Sequence, residues 1–484
     1  MNMVRAARRT RGSNIHGLAM NEPNNPNVVK TNCLACRVRK SATNVSSLVF
    51  VVVLFLAGCA THSSVQPVAD KNLPMDLGRI QALEEKGVTV QVAVPTDDQV
   101  SRFFGVDMAG HDIQPIWVHI DNQSEVNYWL LPIAVDADYY SPDEAALLTG
   151  ESIPAEQRNA NRQRFRANAM PFFIPAHSTH EGYIYGSYKR GGRFIDVRLS
   201  GHLKFIRMRF AVLLPTEGFD YEKSELRQRY AKVDELPDLQ LPACRERLRA
   251  MVCCTTTSDG EGKGDPLNIA LVGSGEDVVA ALTASGWNFT EAITIDSIRR
   301  MIGAAIAEGA FLTAPVSSLY TYGRSQDLAL QRGRSTINQR NHMRLWLAPF
   351  RCEGEPVWVG QVSRDIGVKV TSKSPTLTTH IIDPDVDEAR EYLLHSLLHR
   401  DAVSQFAFVR GVGEATLDQP RFNLTDDPYF TDGMRMVLWV SRKPVPPHMS
   451  QDLGWNESAD PVREGRGEQH MIPALMDAIG SGSR

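Results

Sequence analysis

The spacing of apolar and polar positions divides the chain into stretches of different character. Residues 48–57 form an unbroken apolar run of 10 residues, about half of the ~20 that a membrane-crossing helix needs. From Val88 onward the pattern alternates with a period of two. Val88-Thr-Val-Gln-Val-Ala-Val94 stops at Pro95, residues 116–120 and 128–131 lie either side of a polar turn at 121–125, residues 182–188 and 194–199 flank Lys189-Arg-Gly-Gly192, and residues 205–214 end at Pro215. Short alternating runs bounded by turn formers predict a β-sandwich, placed at 79–220. A mostly polar, helix-like insert at 142–169 interrupts it.

Residues 222–246 are charged and punctuated by proline, and residues 255–264 are rich in Ser, Thr and Gly. Together they predict a linker over 221–264. Beyond it the period mixes. Leu267-Asn-Ile-Ala-Leu-Val272 reads as a buried strand, Gly273-Ser-Gly275 turns the chain, and a helix follows at 276–284 with Ser274 as its N-cap. The Gly-loop is not a phosphate cradle, because Glu276 and Asp277 occupy the place a phosphate would take. A second helix is expected at 297–307, with Ile298, Ile302, Ala305 and Ile306 on one face. Strands are expected around 340–346, 356–360 and 434–440, and a helix opening at Asp383-Pro384 with Val386, Leu393, Leu394, Leu397 and Leu398 as its buried stripe. The fold class predicted is α+β: an N-terminal β-sandwich followed by a mixed α+β domain at 265–445, then a polar, disordered tail at 446–484.

Charge and cysteine change this picture at the N-terminus. Arg37, Arg39 and Lys40 precede the apolar run and Leu56-Ala57-Gly58-Cys59 closes it, the layout of a secretory signal peptide. The closing tetrapeptide resembles the lipobox of bacterial lipoproteins, which implies lipidation of Cys59 after cleavage of 1–58. Residues 59–78 then read as a tether. Ala60, rather than Asp, after the lipidated cysteine implies sorting to an outer membrane with the body facing the periplasm. The apolar core lies unusually far from Met1, so translation is expected to start further downstream, and Cys33 and Cys36 fall in the discarded segment. Without residues 1–58 the chain holds 44 basic and 55 acidic residues, a net charge of −11. That excludes a nucleic-acid binder with a basic stripe and leaves as partners the membrane, through the anchor, and an envelope protein. Four thiols remain besides Cys59. A Cys244–Cys253 or Cys244–Cys254 bridge and free buried thiols are all open, and the adjacent Cys253 and Cys254 are not expected to bridge each other.

Candidate chemistry concentrates between 314 and 433. Ala314-Pro-Val-Ser317, Leu319-Tyr320, Gly323-Arg324, His342-Met-Arg344-Leu-Trp346, Pro356-Val-Trp-Val-Gly360, Asp365-Ile-Gly367, Thr379-His380 with Asp383-Pro-Asp385-Val-Asp387, and Asp427-Pro-Tyr429 through Thr431-Asp-Gly433 follow one another in order. The series resembles the LssY C-terminal domain family over roughly 266–443. Asp426 stands where that family's pattern leads us to expect glycine, and residues 331–339 are longer and more polar than expected. The resemblance implies an association with secretion and supplies no reaction.

The ionisable motif residues give two readings. His342, Asp365, His380 and Asp383 are the candidates for an acid–base site, and Arg324, Arg344 and Arg390 for binding an anionic ligand. His342, Arg344 and Trp346 share one strand face. Against this, Asp383-Pro384 and the acidic residues after it suit a helix start, and Asp-x-Gly and Asp-Gly suit turns. His177, His180 and Glu181, the pair His395 and His399, and Asp426, Asp427 and Asp432 lack a metal site's spacing. No metal or other cofactor is expected. There is no G-x-S-x-G, H-E-x-x-H or Walker segment, and Ser317 and Ser318 have no base placed by spacing. The leading expectation is a non-enzymatic binding or assembly role at the envelope. The alternative is a periplasmic hydrolase with a His/Asp site in the C-terminal domain.

Overall fold

The computed structural model describes residues 80–455, apart from 152, 215–216, 295–296, 298–299, 301–310, 334–338 and 371–377. The lipobox-like tetrapeptide, the stretch expected to be a tether, most of the helix expected at 297–307 and the residues beyond 455 lie outside the described residues. Those described belong to one compact unit.

The N-terminal module is a β-sandwich. Strands β1 (Gln81–Glu85), β2 (Val88–Ala93), β3 (Ile113–Asn122), β4 (Tyr128–Leu130), β5 (Phe173–Ile174), β6 (Ser178–Ser187), β7 (Gly192–Gly201) and β8 (Lys204–Leu213) form two antiparallel sheets, β1-β2-β3-β6 and β5-β4-β7-β8. The alternating apolar positions Val88, Val90, Val92, Ile116, Val118 and Ile120 meet Ile195, Val197, Leu199, Ile206, Met208 and Phe210 in the shared core. The insert folds as helices Pro142–Leu148 and Arg158–Ala167. They pack beside the first sheet, where Ala145, Ala146 and Phe165 bury against Phe104 and Tyr185.

The stretch expected to be a linker folds instead into the second module. Strand β9 (Asp238–Leu239) pairs with a long central strand, and helix Leu241–Arg249 buries Cys244 and Leu248. Cys244 is bridged to Cys352, and Cys253 to Cys254. Both pairings differ from those considered from the sequence. The charged composition misled because the helix buries only its inner edge, and the partner cysteine lies 108 residues away.

Strands β10 (Cys254–Thr256), β11 (Lys263–Pro266), β12 (Ile269–Val272), β13 (Asn288–Phe289), β14 (Tyr320–Thr321), β15 (Arg324–Ser325), β16 (Leu328–Gly333), β17 (Arg340–Cys352), β18 (Glu355–Val370), β19 (Thr378–Ile382), β20 (Val403–Arg410), β21 (Arg421–Phe422), β22 (Pro428–Tyr429), β23 (Met434–Val440) and β24 (Gln451–Asp452) complete the module. The principal sheet runs β13-β16-β17-β18-β12-β23-β20-β24, with β19 on the free part of β18 and β9 on β17. Odd positions Met343, Leu345 and Leu347 of β17 face helices Gly275–Ala284 and Val386–His399. Even positions Trp346, Ala348 and Phe350 face helix Leu241–Arg249. Gly360 of β18 stands opposite Leu345 of β17, and a Cβ there would come within 2.6 Å of the Leu345 side chain and 2.7 Å of the Arg344 carbonyl.

Helix Gly275–Ala284 is capped by Ser274, whose Oγ accepts from the Asp277 N–H. Its apolar face also meets Ala211 and Phe219, joining the two modules. Beside it Arg207 reaches Asp196 within the sandwich and Asp401 in the second module. Residues 446–455, expected to start a disordered tail, instead lay β24 along β20 and bury Trp455 edge-on against Trp439.

The helix expected to open at Asp383 begins later. Thr378–Ile382 is a strand, and the N-cap is Asp385, whose carboxylate accepts from the Asp387 N–H at 3.1 Å. Asp383 sits two residues earlier and accepts from the Asp385 N–H at 3.2 Å. Asp385→Ala is expected to cost about 1 kcal/mol, read as a lower urea midpoint with unchanged slope; an unchanged midpoint would count against the cap.

Candidate functional site

The even positions at the start of β17 continue the Trp346 face as a polar stripe: Arg340, His342 and Arg344. Register places Gln331 of β16 and Ser363 of β18 opposite His342, and Gln361 opposite Arg344. Strand residues two apart share a face, so Gln361, Ser363 and Asp365 fall in line beside them. All of these side chains are buried. The loop before β14 closes the stripe: Arg344 Nε donates to the Ser317 carbonyl at 2.9 Å and Arg344 Nη2 to Ser317 Oγ at 3.3 Å. The Ala-Pro-Val-Ser segment is therefore the cover of this face.

A chain of contacts runs along the stripe. Arg344 Nη1 donates to Gln361 Oε1 at 2.9 Å, Gln361 Nε2 to Ser363 Oγ at 2.7 Å, and Ser363 Oγ lies 2.8 Å from His342 Nε2. His342 Nδ1 is 3.2 Å from Asp365 Oδ1, and His380 Nδ1, on β19, is 3.7 Å from Asp365 Oδ2. Arg340 Nε donates to Asp365 Oδ2 at 3.0 Å, and its Nη1 to Gln331 Oε1 at 2.5 Å. Two imidazoles and one guanidinium thus converge on a single carboxylate with no exposure to solvent. His342 Nδ1 and Asp365 Oδ1 are close but out of line, and His380 Nδ1 stands too far from Asp365 Oδ2, so none of the three atoms makes a hydrogen bond.

The electrostatics follow from this packing. Burial alone would raise the Asp365 carboxyl, but the charged forms of His342 and His380 together with Arg340 hold it well below the usual carboxylate range. His380 is pushed below the usual imidazole value, first by burial and then by Arg340 and His342, against the pull of Asp365. It is neutral at neutral pH. Burial also lowers Arg344.

A sign follows for stability. His380 binds its proton less readily folded than unfolded, so its contribution is complete above the unfolded value of about 6.5 and is lost as pH falls through the folded one. The wild-type chain is expected to lose more stability than His380→Gln between pH 7.5 and 5, measured as urea midpoints. Parallel curves would refute the assignment.

The other candidates lie elsewhere. Asp383 is 3.9 Å from Arg364 and does not join the cluster. Arg324 grips buried Asp327 at 2.7 Å and the Leu347 carbonyl at 2.7 Å, beside Arg229. Arg390, fully buried, makes a two-pronged pair with Asp432 at 2.8 and 2.9 Å and meets Asp387 at 3.2 Å. Asp387 in turn accepts from Thr431 Oγ1 and the Asp432 N–H, both at 2.8 Å. The Asp-Pro-x-x-Asp and Thr-Asp-Gly segments are thus two halves of one clamp, and Arg324 and Arg390 are committed to it and to Asp327 rather than to a ligand. His395 and His399 are exposed on their helix, and Asp427 pairs with Lys369 at 2.6 Å. His177 faces Glu125 at 3.1 Å and Glu181 faces His119 at 3.4 Å. Among the described residues no group of three His, Cys, Asp or Glu side chains is arranged to hold a metal ion.

Arg340, Gln361 and Ser363 were not singled out from the sequence. The signal was present: the period-two pattern that aligns His342 with Arg344 also aligns Arg340, and Gln361-Val-Ser363-Arg-Asp365 alternates in step. Only cross-strand register joins the two runs.

Asp426 adopts φ 60°, the left-handed conformation that glycine takes most readily and Asp tolerates. That is the physical reason a glycine is expected there. Comparison with curated proteins gives no match. The family model described as LssY C-terminus matches residues 245–434. The match starts inside helix Leu241–Arg249 and encloses the polar stripe, its cover and the clamp. The chain carries a domain of the LssY C-terminus family.

Proposed function

We propose that this protein is an envelope lipoprotein, anchored through Cys59, whose C-terminal domain is a hydrolase working through the imidazoles gathered on Asp365. One observation favours chemistry over a purely architectural role. Buried polar atoms are nearly always hydrogen-bonded, and those left over mark catalytic groups or sites for a missing partner. Here the His342 and His380 Nδ1 atoms and Asp365 Oδ1 are left over together, within 3.2 Å and 3.7 Å contacts. In this reading Asp365 orients the two imidazoles, and Arg340 keeps the carboxylate charged. The substrate class is tested by incubating the purified full chain with carboxylic and phosphoric ester panels, with Asp365→Asn as the control. Turnover absent in both, or equal in both, refutes the hydrolase.

The anchor rests on the Leu-Ala-Gly-Cys tetrapeptide behind a short apolar run, and outer-membrane sorting towards the periplasm on Ala60. Mass spectrometry of the mature N-terminal peptide should find a diacylglyceryl-modified Cys59; an unmodified thiol there would exclude the anchor.

A binding role for the sandwich is favoured by a separate feature. Phe173, Trp129 and Phe205 lie in one cross-strand row on the outer face of β5-β4-β7-β8, with Ser200 between the last two. They are 42%, 57% and 48% exposed. Exposed aromatic clusters mark contact surfaces. Trp129→Ser with Phe173→Ser is expected to weaken saturable binding to isolated envelopes by about tenfold while ester turnover stays unchanged; unaltered binding would remove this face from consideration.

A further inference from the structure

We propose that Ser363 is the nucleophile of this site, with His342 as its base and Asp365 as the group that orients His342. The proposal rests on the hydrolytic reading above and supplies what that reading lacks, an atom that attacks. The hydrogen-bond order along the stripe dictates the roles. Gln361 Nε2 can only donate, and it donates to Ser363 Oγ at 2.7 Å. The hydroxyl hydrogen is then directed to the other neighbour, His342 Nε2, at 2.8 Å. With its proton on Nδ1, facing the Asp365 carboxylate with Oδ1 at 3.2 Å, the ring leaves Nε2 to accept that hydrogen. This tautomer is assigned from the network. Serine, imidazole and carboxylate therefore stand in the order of a nucleophile, a base and an orienting group, a constellation recognised by geometry rather than by position in the chain. The Nδ1 to Oδ1 contact is out of line in this state, as such contacts often are without substrate.

The step balances with an acyl ester as substrate. Ser363 Oγ attacks the carbonyl carbon while its proton passes to His342 Nε2. The C–O bond to the leaving alcohol breaks, and that alkoxide takes the proton from Nε2. Water, deprotonated by the same nitrogen, then releases the acid and restores the serine. Ser363 is 1% exposed. A substrate reaches it only after the 314–317 segment leaves Arg344 and Arg340, which donate to the Ser317 and Ala314 carbonyls.

A fluorophosphonate tests this without a known substrate: Oγ–P forms, P–F breaks, fluoride leaves and the serine proton goes to His342. The full chain is treated with the probe and digested, and the peptide carrying Ser363 is weighed. The expected result is an adduct on Ser363, formed about 100-fold more slowly in His342→Ala. No adduct on Ser363 in the wild-type chain overturns the proposal. Ester turnover that persists in Ser363→Ala yet disappears in Asp365→Asn also overturns it, while leaving the hydrolytic reading standing. An adduct on Ser363 with no ester turnover supports the nucleophile and removes the ester as its substrate.

Discussion

Replacing His342 with alanine is expected to lower hydrolytic turnover by about 10²–10⁴-fold, the range over which a positioned base contributes, with little change in KM. The reason lies in its two contacts. His342 Nε2 faces Ser363 at 2.8 Å and Nδ1 faces Asp365 at 3.2 Å, so removing the ring takes away the proton acceptor and separates hydroxyl from carboxylate. Turnover in His342→Ala within a factor of two of wild type would show that the cluster is architectural.

Removing the Cys244–Cys352 bridge should have the largest effect on stability. The bridge spans 108 residues, and constraining a loop of that length in the unfolded chain is worth about 5 kcal/mol in the chain-entropy account. Both sulfurs are buried between helix Leu241–Arg249 and the end of β17. Cys244→Ala with Cys352→Ala is therefore expected to move the denaturant midpoint far down, whereas Cys253→Ser with Cys254→Ser, which opens a link between chain neighbours, should move it little. Equal shifts in the two double variants would contradict the argument.

The sandwich was legible because its strands obey one rule. Inward positions such as Val88, Val90 and Val92 are apolar and their neighbours polar, and turns carry Gly and Pro. Helix Gly275–Ala284 was legible from its cap. Residues 221–264 were not, because Cys244 and Leu248 are lone apolar anchors in a charged segment, and their burial depends on strands far away in sequence. Asp383-Pro384 misled for a related reason. An Asp-Pro pair starts many helices, yet here cross-strand pairing with β18 keeps the chain extended through Ile382, and the next Asp-x-Asp step provides the cap. The site was half legible. His342, Asp365 and His380 were candidates from their spacing, and they do meet. Asp383 was grouped with them as another ionisable motif residue, but it follows the strand end and lies beside Arg364. Ser363 and Arg340 were missed because their importance comes from neighbours across the sheet.

The seam between the modules bears on how this protein can be cut. The matched segment begins one residue after Cys244 and ends at Met434, where β23 starts. A fragment expressed to those limits would carry Cys352 as an orphan thiol, lack a strand from the middle of its sheet, and expose to water the side of helix Gly275–Ala284 that rests on Ala211 and Phe219. Such a fragment invites intermolecular cross-linking and aggregation. The inheritable module recognised by sequence is thus smaller than the piece of chain able to stand alone, and deletion series should move from Ile80 and Trp455 inward rather than outward from the matched segment.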